Sequence, residues 1–189
     1  MISSLIFSII FKLIIYPFKK FGGGKKMAFD IREARENDVD AIWEIFHEVI
    51  IAGDTYVFDP NTSKDQFLKL WLAPHMATYV LEDDGKIIGT YALKPNQPDL
   101  GSHIANAAYM VPPEEQNRGI GRAMCEHSLK EAKILGYIGM QFNMVVSTND
   151  AAISLWQQFG FSIIGTIPKG FRDTKLGYID THIMYKSLE

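Results

Sequence analysis

The chain has 189 residues, 22% charged and 47% hydrophobic, an ordinary globular balance with enough length for one domain and a sizeable core. A net charge of −3 gives no electrostatic basis for binding nucleic acid. The single cysteine, Cys125, excludes an internal disulfide and a multi-cysteine metal centre, and no metal is expected.

Residues 1–26 stand apart. Ile2 to Phe18 is almost wholly apolar, interrupted by Ser3, Ser4, Ser8, Lys12 and Pro17, and Lys19 to Lys26 is basic and glycine-rich. A helix of that length would span about 25 Å, the short limit for a bilayer. Two readings stay open. The segment is a membrane anchor or interfacial helix whose flanking lysines keep the following domain cytoplasmic, or Met27 is the true start. No basic stretch precedes the apolar run and no small-residue cleavage site follows it, against a cleaved signal peptide. In both readings the working domain is residues 27–189, cytoplasmic and either monomeric or homodimeric.

Asp30 to Ala34 predicts a strand. Asn37 or Asp38 can cap a helix with the stripe Ile42, Ile45, Phe46, Val49, Ile50, broken at Gly53-Asp54-Thr55-Tyr56. Ser63 caps a second helix through Phe67, Leu70 and Trp71, stopped by Pro74. Thr78–Leu81 and Ile87–Ala92 flank the turn Asp83-Asp84-Gly85 as a hairpin. A polar loop at Pro95–Gly101 leads to a strand at Ile104–Val111, ended by Pro112-Pro113. A helix follows from Gly119 to about Leu135, with Ile120, Met124 and Leu135 as inward candidates and Gly136 at its end. Gln141–Val146 predicts a strand and Asn149–Phe159 a helix. Phe161–Ile167 and Tyr178–Tyr185 predict closing strands around a loop at Pro168–Gly177. The order β-α-α-β-β-β-α-β-α-β-β indicates an α+β domain, a mixed central sheet of about seven strands flanked by about four helices.

The most informative segment is Gln116-Asn117-Arg118-Gly119-Ile120-Gly121, a glycine-bearing turn between a strand and a helix start. Such a turn aims backbone N–H groups and the positive helix end at a phosphate. The alternative is that Gly119 and Gly121 merely permit close helix packing. A dinucleotide-binding fingerprint is disfavoured, since the motif is far from the first strand and lacks a third glycine.

With Asn149 and Phe159-Gly160-Phe161 at matching spacing, the chain resembles the GNAT N-acetyltransferase superfamily over about Asp30–Leu188. The resemblance implies acetyl-coenzyme A as cosubstrate and a small-molecule amine as acceptor. It implies that the coenzyme is held by Gln116, Asn117, Arg118, Gly119, Ile120 and Gly121. The pantetheine arm would run along free backbone near Tyr109, Met110 and Val111, with Asn149 and Trp156 beside it. Arg118 and Arg122 could neutralise phosphates or form surface ion pairs. Lys94-Pro95-Asn96, Ser102-His103, Asn106-Ala107, Leu135-Gly136-Tyr137 and Phe142-Asn143 further resemble a fungal branch that acetylates azetidine-2-carboxylate and related imino acids. That likeness implies Asn106 and Asn143 as catalytic and substrate-binding residues and Tyr56, in Gly53-x-Thr55-Tyr56, in a loop over the acceptor. A buried strand asparagine could instead satisfy a neighbouring backbone group.

Many superfamily members place a tyrosine seven residues after the motif asparagine to protonate the leaving thiolate. Trp156 stands there, and an indole N–H is no useful acid. Tyr109, Tyr56 or water could serve, with Tyr109 the catalytic candidate. No base declares itself: His103, His47 and Glu48 are candidates, and for each a solvated or core-satisfied side chain is the stronger reading. Lys169 and Arg172 are candidates for an acceptor carboxylate. A peptide N-acetyltransferase and a catalytically silent coenzyme-binding regulator are the competing functions.

Overall fold

The computed structural model describes residues 29–189, so the expectations for residues 1–26 lie outside the described residues. Seven strands form one sheet in the order β1-β2-β3-β4-β5-β7-β6: β1 (Asp30–Glu33), β2 (Ala77–Asp83), β3 (Lys86–Pro95), β4 (Ile104–Met110), β5 (Gly139–Val146), β6 (Ser162–Asp173) and β7 (Gly177–Ser187). All neighbours are antiparallel except β4 and β5. Four helices, α1 (Val39–Ala52), α2 (Lys64–Trp71), α3 (Ile120–Ile134) and α4 (Asp150–Gln158), complete the α+β domain.

The central strands read as continuous apolar runs because both faces are covered. Tyr79, Leu81, Tyr91, Leu93, Ala105 and Ala107 turn towards α3 and α4. Val80, Ala92 and Met110 turn towards α1 and α2, where Ile42, Phe46, Ile50, Phe67 and Trp71 meet them. Helix α3 docks on a ladder of three tyrosines in register across β2, β3 and β4. The hydroxyls of Tyr79, Tyr91 and Tyr109 meet Glu131 (3.1 Å), His127 Nδ1 (2.6 Å) and Ser128 (2.7 Å) of α3. Packing and polar satisfaction therefore set the same helix position.

The cap at Ser63 forms as expected, its hydroxyl accepting from Gln66 N–H, and Asn149 Oδ1 likewise caps α4 by accepting from Ala152 N–H. Three local expectations change. Asp38 holds the N-cap position of α1 but spends its carboxylate on Arg32 and on Arg35 N–H instead of on the helix. Leu135 lies at the end of α3, where the helical stripe runs out, and is half exposed rather than inward. The expected loop at Pro168–Gly177 is shorter than that, since β6 continues to Asp173 and pairs again with β7 at Phe171–Asp173 before a turn. Proline is tolerated there because β6 is an edge strand and its register with β7 slips between Ile167 and Phe171, so no ladder donor is demanded.

Candidate functional site

The parallel pair at the centre of the sheet is short. β4 and β5 are in register only at Ile104–Gly139 and Ala105–Met140, and then part. The next residue, Asn106, bridges the gap with its side chain: Nδ2 donates to the Gln141 carbonyl at 2.8 Å. Beyond it, the edge of β4 that faces β5 has no partner strand. On the α4 side the wedge is filled by Trp156, whose ring centroid lies 4.9 Å from those of Tyr109 and Phe142. Trp156 is buried, consistent with a packing residue.

A cleft of about 270 Å³ opens in the wedge, lined among others by Tyr56, Trp71, Ala92, Lys94, Asn106, Ala108, Asn143 and Asn149. Asn143 sits where β5 slips register against β7, between Phe142 and Val145. Its amide lies in a short chain: Gln141 Nε2 donates to Asn143 Oδ1 (2.8 Å) and Asn143 Nδ2 donates to Asn96 Oδ1 (2.7 Å). Asn106 and Asn143 thus line one cleft from diverging strands. The Tyr56 hydroxyl, from the segment after α1, donates to the Tyr109 carbonyl at 2.6 Å and anchors that segment over β4.

The Tyr109 side chain turns the other way. Its hydroxyl pairs with Ser128 inside the core, and burial pushes its pKa well above the ordinary tyrosine value. Tyr56 is shifted up by burial as well. Neither phenol is placed as a ready proton donor, so the catalytic role expected of the Tyr109 hydroxyl has no support in this geometry.

At the far end of β4, Met110 is buried against α1 and α2 and Val111 packs on the opposite core. The chain then turns through Pro113–Glu115 into the glycine motif. Asn117 (φ 63°) and Gly119 (φ 83°) are both left-handed, and Gly119 is the N-cap of α3. No side chain caps that end, which leaves the first-turn N–H groups open. The two glycines have separate causes. Space around Gly119 is open and its φ demands glycine, whereas a Cβ on Gly121 would stand 3.3 Å from Leu155 of α4. Arg118 pairs with Glu115 and, at 2.6 Å, with Asp83; Lys86 joins Glu115 at 2.9 Å. These cations hold the Glu115 carboxyl below its ordinary value and brace the motif against the β2–β3 turn. Arg122 has no acidic partner among the described residues; it meets Gln158 and lies over the Phe159 ring.

None of the candidate bases lines the cleft. His47 stacks on Trp43, and Glu48, raised by burial and by Glu114, faces a separate groove. His103 is exposed at the start of β4, and Lys169 and Arg172 are exposed on β6. Among the lining residues there is no carboxylate and no imidazole, and the one charged side chain is Lys94. Sequence reading passed over Lys94 as a site residue, because strand alternation alone does not show which polar side chain faces a cleft. No group of His, Cys, Asp and Glu among the described residues could hold a metal.

The profile of the acetyltransferase (GNAT) family matches residues 39–161. N-acetyltransferase aca1 of Schizosaccharomyces pombe is 34% identical over 148 residues, 69% of this chain and 71% of that protein. L-amino acid N-acyltransferase MnaT of Escherichia coli is 27% identical over 164 residues, 84% of this chain and 94% of that one. A GCN5-related N-acetyltransferase from Kribbella flavida superposes with a TM-score of 0.81 at 38% identity, covering 85% of this chain and 98% of the other. The splayed strands and the uncapped helix after them belong to a recognised scaffold: the chain is a member of the acetyltransferase (GNAT) family, an N-acetyltransferase.

Proposed function

We propose that the protein transfers the acetyl group of acetyl-coenzyme A to the amine of a small acceptor, an amino acid or a proline-like imino acid. The observation that carries this is the wedge between β4 and β5, with an uncapped helix start at one end and an amide-lined cleft at the other. The coenzyme pyrophosphate takes the N–H groups of Asn117 to Gly121 and the charge of Arg122. The pantetheine arm runs along the free edge of β4 from Tyr109 to Val111, and the thioester rests against Trp156. Asn149, already the cap of α4, has its Nδ2 left for the coenzyme.

In the transfer, a neutral amine nitrogen attacks the thioester carbonyl carbon. The C–N bond forms, the C–S bond breaks, the surplus proton on nitrogen passes to water and coenzyme A leaves as thiolate. Asn106 Oδ1, with Nδ2 fixed on Gln141, accepts one amine N–H and directs the lone pair at the carbonyl. Thiolate is a fair leaving group, so no phenol or imidazole is required. Tyr109 contributes its backbone rather than its hydroxyl. The E. coli relative named for L-amino acids supports an acceptor of this class.

Trp156 and the two committed phenols favour one second reading, a coenzyme-binding regulator without turnover. Thiol release from acetyl-coenzyme A by the full chain, against amino acids, imino acids, diamines and short peptides, separates the two. Turnover on small amino or imino acids is expected. Coenzyme binding with no turnover on any amine overturns it.

A further inference from the structure

We infer that Lys94 is the acceptor's carboxylate anchor and makes the site selective for zwitterionic amines over cationic ones; this rests on the function proposed above. Lys94 stands directly across from Asn106 in the β3–β4 register, on the face shared with Ala92 and Ala108. It is half-buried and makes no ion pair or hydrogen bond among the described residues, unlike Arg32, Lys86 and Arg118, each tied to carboxylates. A cation in a partly closed, predominantly apolar cleft with no counter-ion supplies attraction to an anionic ligand group.

The coenzyme phosphates do not account for it. The phosphate-binding helix start lies beyond Met110, four residues further along β4 from Asn106, or about 13 Å at the usual strand rise. Lys94 therefore belongs to the acceptor half. There, Asn106 and Asn143 offer only neutral amides. A polyamine or a lysine side chain would bring a second cation to Lys94 with no carboxylate to receive it. An α-amino or α-imino acid instead sets its carboxylate on Lys94 and its nitrogen at Asn106, directly across the strand pair.

The test compares matched acceptors on the full chain: L-proline, azetidine-2-carboxylate and L-methionine against their carboxamides, with wild type, Lys94→Met and Lys94→Arg. The wild type should favour acid over amide by about 30-fold in kcat/KM, the scale of one charge-assisted hydrogen bond. Lys94→Met should erase that preference through the KM of the acid, with kcat and the KM for acetyl-coenzyme A changed less than about threefold, and Lys94→Arg should restore part of it. An acid-to-amide ratio in Lys94→Met equal to wild type overturns the anchor. Wild-type turnover on carboxamides and simple amines with no preference for acids also overturns it but leaves N-acetyl transfer intact. Absence of turnover on all small amines, with acetyl-coenzyme A bound, overturns both.

Discussion

Asn106 donates a 2.8 Å hydrogen bond to the carbonyl of Gln141 at the point where β4 and β5 cease to pair. A side chain thus replaces the last rung of the ladder. The same residue ends the sheet pairing, satisfies a strand carbonyl and lines the cleft. The backbone-satisfying role occupies one end of this carboxamide, and the proposed acceptor role falls to the other.

Asn106→Ala leaves the Gln141 carbonyl unpaired and should cost about 1–3 kcal/mol in chemical denaturation. It should lower kcat/KM for the acceptor by more than tenfold, with the KM for acetyl-coenzyme A near wild type. Asn106→Asp places a carboxylate against that carbonyl and should lose more stability than the alanine variant. If the alanine variant turns over at the wild-type rate, the assignment of Asn106 to the acceptor is wrong.

Gly119 and Gly121 should fail differently. Gly119→Ala forces a left-handed alanine, a strain of about 1–2 kcal/mol, and should weaken acetyl-coenzyme A binding measured by titration calorimetry. Gly121→Ala presses on Leu155 and so displaces α4 with Trp156. Adding Leu155→Ala should restore binding to the Gly121 variant and not to the Gly119 variant. Equal rescue of both would show that the two glycines serve a common packing purpose.

Trp156 is enclosed by Tyr109, Phe142 and Phe161. Trp156→Ala should cost about 3–5 kcal/mol through the cavity left behind. Trp156→Tyr should fold and leave kcat within about twofold, because thiolate departs without a dedicated acid. A tenfold rise in kcat would mean that protonation limits the chemistry.

Burial holds the His127 imidazole below its ordinary value, against the opposing pull of Glu131. Its Nδ1 pairs with the Tyr91 hydroxyl at 2.6 Å inside the packed face of α3. The unfolded chain therefore takes up this proton first. The contribution is full above the ordinary value of about 6.5 and is lost as pH falls through it toward the folded value. Denaturant midpoints should drop between pH 7.5 and 5.5, and His127→Gln should flatten that slope. The lowered carboxyls of Asp38 and Glu115 act in a separate, more acidic window, where stability is lost as pH falls below the ordinary carboxylate range.

Much of the framework around the cleft was readable in order along the chain, since its signals are local. A glycine that must take positive φ, a proline pair that ends a strand and an asparagine that caps a helix each act within a few residues. The course of residues 168–173 was not, because Pro168 reads as a breaker until an edge position removes the need for its N–H. Nor was the direction of Tyr109, whose side alternates with strand parity and whose hydroxyl partner, Ser128, lies on another element.

By itself the sequence determined the α+β element order, the glycine turn that opens α3, and the family to which these belong, because periodicity, caps and turn chemistry are written in neighbouring residues. Only the tertiary structure decided which polar groups share the cleft. It set Lys94 across from Asn106, sent Arg118 to Asp83 and Glu115, and turned Tyr109 inward. Those relations depend on strand register and helix docking across tens of residues, where the hydrophobic burial of two opposed cores, not local propensity, sets the geometry.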